Sequence, residues 1–307
     1  MRRMLLSRVL QFPLILWAIY TITFIMVIAV PGNPFQAAGR KLNPATEAAL
    51  RRRYGMDDNW RFYASYLNRF VRGDLGQSIQ YESWTCNEII GESLPVSMAV
   101  GGAAMLIALV GGLLLGTAGA VYRHSLIDYL SLAIAVIGIS VPTFVIGAIL
   151  LVLFSVTWRL LPVGTWESPI DLLRPALALS LVPMAYITRL TRLGMIEIMS
   201  SDFIRTARAK GLSPARVIFR HALPNAVLPV LSYLGPATAS AMTGSFVVER
   251  VFNVPGLGVH FVNSVLNRDQ MLILATVLVY SSLIVAMNLL VDLAYRLLDP
   301  RMAEAAT

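Results

Sequence analysis

The sequence predicts an all-α membrane protein with about six transmembrane helices. Hydrophobic residues make up 57% of the 307 residues and charged residues only 14%, against about 25% charged residues in an ordinary soluble domain. The charged residues also avoid five stretches of 22 or more residues, and a helix of about 20 residues crosses a hydrocarbon core. A soluble core helix has no need to be apolar on every face. The five stretches are 9–39, 93–122, 129–158, 221–248 and 270–291.

The first stretch predicts an N-terminal transmembrane helix within residues 1–30. Its apolar run is far longer than the roughly 7–15 residues of a signal-peptide core, which favours a retained anchor over a cleaved signal. Three arginines precede it, at positions 2, 3 and 8. The positive-inside rule therefore predicts a cytoplasmic N-terminus.

Residues 31–93 are expected to form a small folded region outside the membrane, in the periplasm. Asn43 and Pro44 carry the signals of a helix start, and Gly55 those of a stop. A second helix is predicted from the helical spacing of four apolar residues, which are expected to pack on the membrane surface or on the rest of the protein in preference to contacting substrate. These are Trp60, Tyr63, Leu67 and Phe70. Cys86, the single cysteine, can form no intramolecular disulfide and is expected to be a small packing residue.

Glycines in the second span indicate close helix packing. Gly112 and Gly116 are four residues apart, and this small-xxx-small spacing lets helices approach each other in lipid. Packing is the expected role of these glycines, in preference to ligand binding.

A sixth span is predicted over Pro175–Thr188, although its apolar run has only 14 residues. At about 1.5 Å per residue it covers roughly 21 Å. Arg174 and Arg189 bracket it and are expected to reach opposite interfaces. The span is needed to return the later basic residues to the cytoplasm.

The net charge of +8 follows membrane topology and does not indicate nucleic-acid binding. Residues 189–220 hold seven basic and two acidic residues, so they are predicted to be cytoplasmic. Residues 159–173 hold one basic and two acidic residues, as suits an outside loop. With six spans the C-terminus returns to the cytoplasm. No basic stripe with interleaved aromatic residues is present.

The motifs of catalysis and ion coupling are missing from the sequence. The only lysines, Lys41 and Lys210, follow Arg40 and Ala209, so the Gly-Lys pair of a nucleotide-binding P-loop does not occur. The three histidines are far apart, no G-x-S-x-G elbow occurs, and no acid or base lies in the middle of a predicted span. We therefore expect no enzyme activity and no cofactor, and an energy source outside this chain.

Residues 201–224 form the most organised polar segment. A short helix is predicted over Phe203–Lys210, closed by Gly211 in a left-handed cap, and Ser213 with Pro214 begins a second helix. Small residues, Ala207 among them, are expected to let the first helix seat in a cleft. The alternative is an ordinary basic cytoplasmic loop held near anionic lipid.

This segment resembles the cytoplasmic signature of bacterial binding-protein-dependent ABC importer permeases, E-A-A-x3-G-x9-I-x-L-P. Gly211 is followed after nine residues by His221-Ala222-Leu223-Pro224, and Ala207 matches the second alanine. Arg205, Thr206 and His221 depart from the general pattern at the Glu, first Ala and Ile positions. The form RTARAKG followed by RHAL is similar to the dipeptide and oligopeptide branch of the family.

Further landmarks of that branch occur in the same order along nearly the whole chain. They are Ala29–Phe35 (AVPGNPF), Gly73–Ser78 (GDLGQS), Ser140–Phe144 (SVPTF), Leu160–Val163 (LLPV), Pro255–Gly258 (PGLG) and Leu298–Arg301 (LDPR). One motif alone is a weak signal, and the ordered set is a strong one.

The resemblance implies a type I ABC importer permease fold in the bacterial inner membrane. It implies a transmembrane domain over 94–292, a cytoplasmic coupling segment over 201–224 and a cytoplasmic tail over 293–307. The residues carried over to the ATPase-coupling segment are Phe203, Arg205, Ala207, Gly211, Leu223 and Pro224.

The partners implied are a paralogous permease in a heterodimer, two ATP-binding subunits and an extracytoplasmic peptide-binding protein, besides membrane lipids. The function implied is half of a translocation pathway for di- and oligopeptides. Within the family, nickel chelates, sugars or opines are alternative substrates. An autonomous ion-coupled carrier and a membrane-embedded enzyme are the alternatives from other classes.

Overall fold

The computed structural model describes residues 2–36, 43–81, 83–160, 166–243 and 246–298. Within these ranges the regular structure is helical, and β-type pairing is limited to one isolated bridge between Gln77 and Thr85. The all-α prediction is confirmed. The α-helices are α1 (Arg2–Ala29), α2 (Pro44–Tyr54), α3 (Asn59–Val71), α4 (Cys86–Val121), α5 (Leu126–Ser140), α6 (Thr143–Leu151), α7 (Leu173–Met199), α8 (Asp202–Ala209), α9 (Pro214–Arg216), α10 (Leu223–Ala226), α11 (Leu228–Met242), α12 (Phe246–Phe252), α13 (Leu257–Leu266) and α14 (Gln270–Leu298).

Four of these helices carry a straight stretch long and apolar enough to cross a membrane: α1, α4, α7 and α14. Two bent pairs, Leu126–Ser140 with Thr143–Thr157 and Pro214–Ala226 with Leu228–Met242, meet the same test when each is taken together. Their bends are 106° and 56°. If each pair is one span, the described residues contain six, as predicted.

The sharper bend lies at Pro142. Proline disfavours helical geometry in the residue before it, and Val141 is extended, with φ −89° and ψ 125°. The stretch 129–158 was expected to be one continuous span. It consists instead of two helices, because this proline interrupts the first helix at Ser140.

The chain divides into two compact units, Met1–Val96 with Pro255–Val285 and Ser97–Val254 with Ala286–Thr307. In the first unit, α2 has the predicted caps. Asn43 Oδ1 accepts a hydrogen bond from the Ala45 amide, and Gly55 has φ 70°. Cys86 is buried in the core of this unit.

The packed face of α3 includes most of the predicted stripe, because Tyr63, Leu67 and Phe70 are partly buried against the core of the first unit. Phe62 and Tyr66 are the buried residues, whereas Trp60 is 80% exposed. The direction of this face is set by aromatic residues on α1, since Tyr20 stacks on Tyr66 and Phe24 packs against Phe62. The helical prediction for α3 is confirmed; of the four predicted stripe residues Trp60 alone is exposed, and the burial of Phe62 and Tyr66 was not predicted.

In the second unit, Gly112 and Gly116 bring α4 against α7, which confirms their predicted packing role. A Cβ at Gly112 would lie within 3 Å of Ile187, and one at Gly116 within 3 Å of Thr188 and Thr191. Larger residues at either position would force the two helices apart.

Helix α7 is much longer than the predicted sixth span, because it continues past Thr188 through a polar stretch to Met199. The expectation that Arg174 reaches an interface is wrong. Arg174 is 2% exposed, pairs with Asp171 at 3.4 Å and donates to Ser155 Oγ at 2.7 Å. The guanidinium thus has a carboxylate and a hydroxyl partner within the protein, as a buried charge requires.

Parts of three predicted features lie outside the described residues. They are the tail 293–307 and the landmarks Leu160–Val163 and Leu298–Arg301.

Candidate functional site

The predicted short helix is present as α8, one residue earlier than expected. Ser201 has extended backbone, with φ −73° and ψ 156°, and Asp202 lies in the first turn. A carboxylate there interacts favourably with the positive end of the helix dipole. The local sequence therefore begins a new helix within a few residues of the end of α7.

Gly211 ends α8 in the left-handed conformation, with φ +77°. The Gly211 amide donates to the Arg208 carbonyl at 2.9 Å and the Leu212 amide to the Ala207 carbonyl at 3.3 Å. These two bonds are those of a Schellman cap. A Cβ at Gly211 would have no atom within 4 Å, so the requirement for glycine comes from backbone conformation and not from lack of space.

The apolar side of α8 is anchored within its own chain. Ile204 is fully buried and Ala207 is 7% exposed, and both pack with Met195 of α7 and with Val217. Ala207 was expected to help seat this helix in a cleft. The structure buries it inside the chain, which gives it a positioning role.

The opposite side of α8 is open to solvent and basic. Phe203 is 46% exposed, and Arg205, Arg208 and Lys210 are also exposed. Arg205 makes an ion pair with Asp202 at 3.5 Å, and such an exposed pair contributes little to stability. An exposed aromatic ring with surrounding guanidinium groups suits a docking surface, since aromatic and arginine residues dominate binding energies at interfaces.

The chain after α8 begins helix α9 as predicted, with Ser213 extended and Pro214 at the first helical position. A π-helix then runs over Val217–Ala222, directly before Leu223 and Pro224. Pro224 has no amide hydrogen to donate to the carbonyl four residues earlier, and the wider π turn lies in that region. π turns are often found at functional sites.

Leu223 is half-buried and packs on the same cluster as Ile204 and Ala207, whereas Pro224 is exposed. The Asn225 side-chain amide donates to the His221 carbonyl at 2.8 Å. The six predicted coupling residues thus divide into two groups. Phe203, Arg205 and Pro224 are exposed, and Ala207, Gly211 and Leu223 hold the fold of the segment.

Sequence reasoning missed an ion pair beside this segment. Asp128 in the first turn of α5 and Arg192 of α7 form a bidentate pair, and Asp128 also accepts from the His124 amide at 3.0 Å. The two residues are 64 positions apart, so no spacing pattern indicates their contact.

It also missed a buried carboxylate next to a span. Glu249 of α12 is 1% exposed and accepts a hydrogen bond from Ser97 Oγ of α4 at 2.7 Å. The predicted spans contain no acid in their own sequence. The Glu249 carboxylate nevertheless contacts a predicted span, α4, from the short helix α12.

Two family profiles match the chain. The profile described as binding-protein-dependent transport system inner membrane component matches residues 96–304. The profile of the N-terminal part of such membrane components matches residues 1–101. Together the two matches extend from residue 1 to residue 304.

Curated relatives are similar over nearly the full length. The dipeptide transport system permease protein DppB of Bacillus subtilis is 42% identical, over 98% of both chains. The oligopeptide transport system permease protein OppB of Salmonella typhimurium is 40% identical, over 98% of this chain and 99% of its own. OppB of Escherichia coli K12 is 38% identical over the same shares.

Two solved structures have a similar fold. The MetNI methionine ABC transporter, in an inward-facing conformation, matches with a TM-score of 0.54 at 18% identity, over 69% of this chain and 96% of that chain. An amino acid ABC transporter, solved with histidines, matches with a TM-score of 0.51 at 18% identity, over 68% and 94%. At this identity the likeness concerns the fold.

Proposed function

We propose that this chain, which belongs to the family of binding-protein-dependent transport system inner membrane components, forms half of the translocation pathway of an ATP-driven peptide importer. It is a permease subunit and not an enzyme, and its fold is the type I ABC importer permease fold. The observation that carries the peptide assignment is the identity of about two residues in five to dipeptide and oligopeptide permeases, over 98% of the chain.

The proposed energy source is a pair of ATP-binding subunits docked on the exposed side of α8. Phe203 would insert into a hydrophobic pocket of the ATPase, with Arg205 at the polar rim, as aromatic anchors do in other interfaces. Ala207 and Gly211 would fix the orientation of α8. Because Ile204 of α8 and Met195 of α7 belong to one buried cluster, a displacement of α8 would be transmitted to α7.

The other proposed partners are a paralogous permease that completes the pathway as a heterodimer and an extracytoplasmic protein that delivers the peptide. With six spans and the basic residues of 189–220 on the inner side, both termini and the coupling segment 201–224 are cytoplasmic. Residues 31–93 are then periplasmic, 94–292 form the transporter domain, and 293–307 form a cytoplasmic tail.

A growth test distinguishes peptides from the other substrates carried by this family. A strain that lacks its own peptide importers and requires one amino acid would receive the intact operon that encodes this chain. We expect growth on di- and oligopeptides that contain that amino acid, and loss of growth when this chain alone is deleted. Restored uptake of nickel chelates, sugars or opines without peptide uptake would refute the peptide assignment and leave the family assignment intact.

A further inference from the structure

An apolar groove lies in the first unit, between α1, α13 and α14. Its cavity volume is about 280 Å³, close to the lower end of the roughly 300–1,000 Å³ of small-molecule sites. Most of its walls are apolar, and they include Met26, Val27, Phe261 and Val277. Among the described residues that line it, Arg268 is the one with a formal charge. The groove thus combines a long apolar surface with the guanidinium of Arg268.

The groove begins at the level where the apolar stretches of two predicted spans end, and it extends along both spans. The apolar stretch of α1 ends at Ala29, and that of α14 begins at Gln270. Arg268 lies just outside this boundary, at the depth of lipid headgroups. From Gln270 to Val277 a helix rises by roughly 10 Å, so the apolar walls reach well into the hydrocarbon region.

The Arg268 guanidinium lies directly against the backbone of Gly32. Gly32 has φ +126° and Arg268 has φ +59°. The Arg268 guanidinium lies so close to Gly32 that a Cβ there would overlap it. The absence of a side chain at Gly32 therefore creates the space that the guanidinium occupies.

Arg268 has no acidic partner among the described residues. Every ion pair found in these ranges joins other residues, and the Arg268 side chain is exposed. An arginine at a membrane surface without a carboxylate partner is suited to a phosphate, which its guanidinium binds in a bidentate manner.

We propose that this groove binds one acyl chain of a membrane glycerophospholipid whose phosphate pairs with Arg268. The apolar walls match the chain, and the guanidinium matches the phosphate in charge and depth. Binding requires both the acyl chain and the phosphate. This requirement distinguishes the site from the general contact that exposed apolar side chains make with lipid. It is independent of the substrate that the protein transports.

Photolabelling tests the site in the complete transporter, reconstituted in nanodiscs. The bilayer would contain a small fraction of phosphatidylglycerol with a diazirine in one acyl chain. We expect labelled peptides from 23–30 and 261–277 at several times the yield of those from the exposed face of α5. Arg268→Gln should lower this labelling several-fold, Arg268→Lys should retain part of it, and Arg72→Gln, which removes another exposed arginine of the same unit, should leave it unchanged.

Two further arms separate phosphate recognition from apolar contact. Diacylglycerol with the same diazirine chain lacks the phosphate, so its weaker labelling should not respond to Arg268→Gln. Val265→Trp narrows the groove and should lower labelling by both lipids. Three results would each overturn the proposal. They are uniform labelling along all lipid-facing helices, labelling that Arg268→Gln leaves unchanged, and cross-links from these segments to the other permease instead of to lipid.

Discussion

Asp128 and Arg192 are joined by two short hydrogen bonds, from Arg192 Nε to Asp128 Oδ1 at 2.6 Å and from Arg192 Nη2 to Asp128 Oδ2 at 2.8 Å. The pair connects the first turn of α5 to α7. Arg192 is one helical turn before Met195, which belongs to the same buried cluster as Ile204 and Ala207 of α8. The ion pair therefore stabilises the helix that positions the candidate docking segment.

Breaking this pair is expected to lower the stability of the subunit, because one charge is left without its partner. Arg192→Gln and Asp128→Asn should each lower the thermal unfolding temperature of the purified complex. The double variant should lose less than the sum of the two, with a coupling energy of about 0.5–3 kcal/mol. Strictly additive losses would mean that the pair contributes nothing.

Gly211→Val is expected to reduce peptide uptake while the protein remains inserted and abundant. The left-handed conformation at φ +77° costs a residue with a Cβ roughly 1–2 kcal/mol, which is too little to unfold the spans but enough to misplace α8. Gly211→Asn is the matched control, since asparagine tolerates this conformation and the site has space for its side chain. If Gly211→Val retained as much uptake as Gly211→Asn, the left-handed conformation at Gly211 would have no role in transport.

Phe203→Ala and Ala207→Glu should fail in different ways. Phe203 is exposed, so its truncation should leave the unfolding temperature unchanged and reduce co-purification of the ATPase together with substrate-stimulated ATP hydrolysis. Ala207 is buried, so a glutamate there places an unpaired charge in the core of the segment and should lower both stability and uptake. If Phe203→Ala hydrolyses ATP normally, α8 is not the docking helix.

Reporter fusions along the chain test the proposed topology, which rests on the distribution of basic residues. Fusions after residues 60, 165 and 260 should be active outside, and those after 124, 210 and 304 in the cytoplasm. An outside signal after residue 210 would exclude contact between α8 and a cytoplasmic ATPase.

Local patterns in the sequence predicted the spans, the caps of α2 and the left-handed Gly211, because each depends on residues that are neighbours in the chain. Gly112 and Gly116 also gave a correct packing prediction. In contrast, the length of α7 was underestimated. Charge-free stretches mark only the apolar part of a helix. Helix α7 continues beyond its apolar part and includes Arg189 and Arg192.

Long-range contacts could not be predicted from one sequence. The burial of Phe62 and Tyr66 on α3 depends on Tyr20 and Phe24, about 40 positions earlier, and spacing within α3 carries no information on these partners. The burial of Ala207 inside its own chain was missed for the same reason. Its partners, such as Met195 and Val217, are brought together by the turns on both sides of α8.

Reconstitution tests the central claim most directly. Proteoliposomes would contain this chain with its paralogous permease and the two ATPases, and uptake of a labelled oligopeptide would be measured with and without ATP and the binding protein. We expect accumulation only when both are present, and its loss in the Phe203→Ala complex. Peptide accumulation by this chain alone, driven by an ion gradient and indifferent to ATP, would contradict the account.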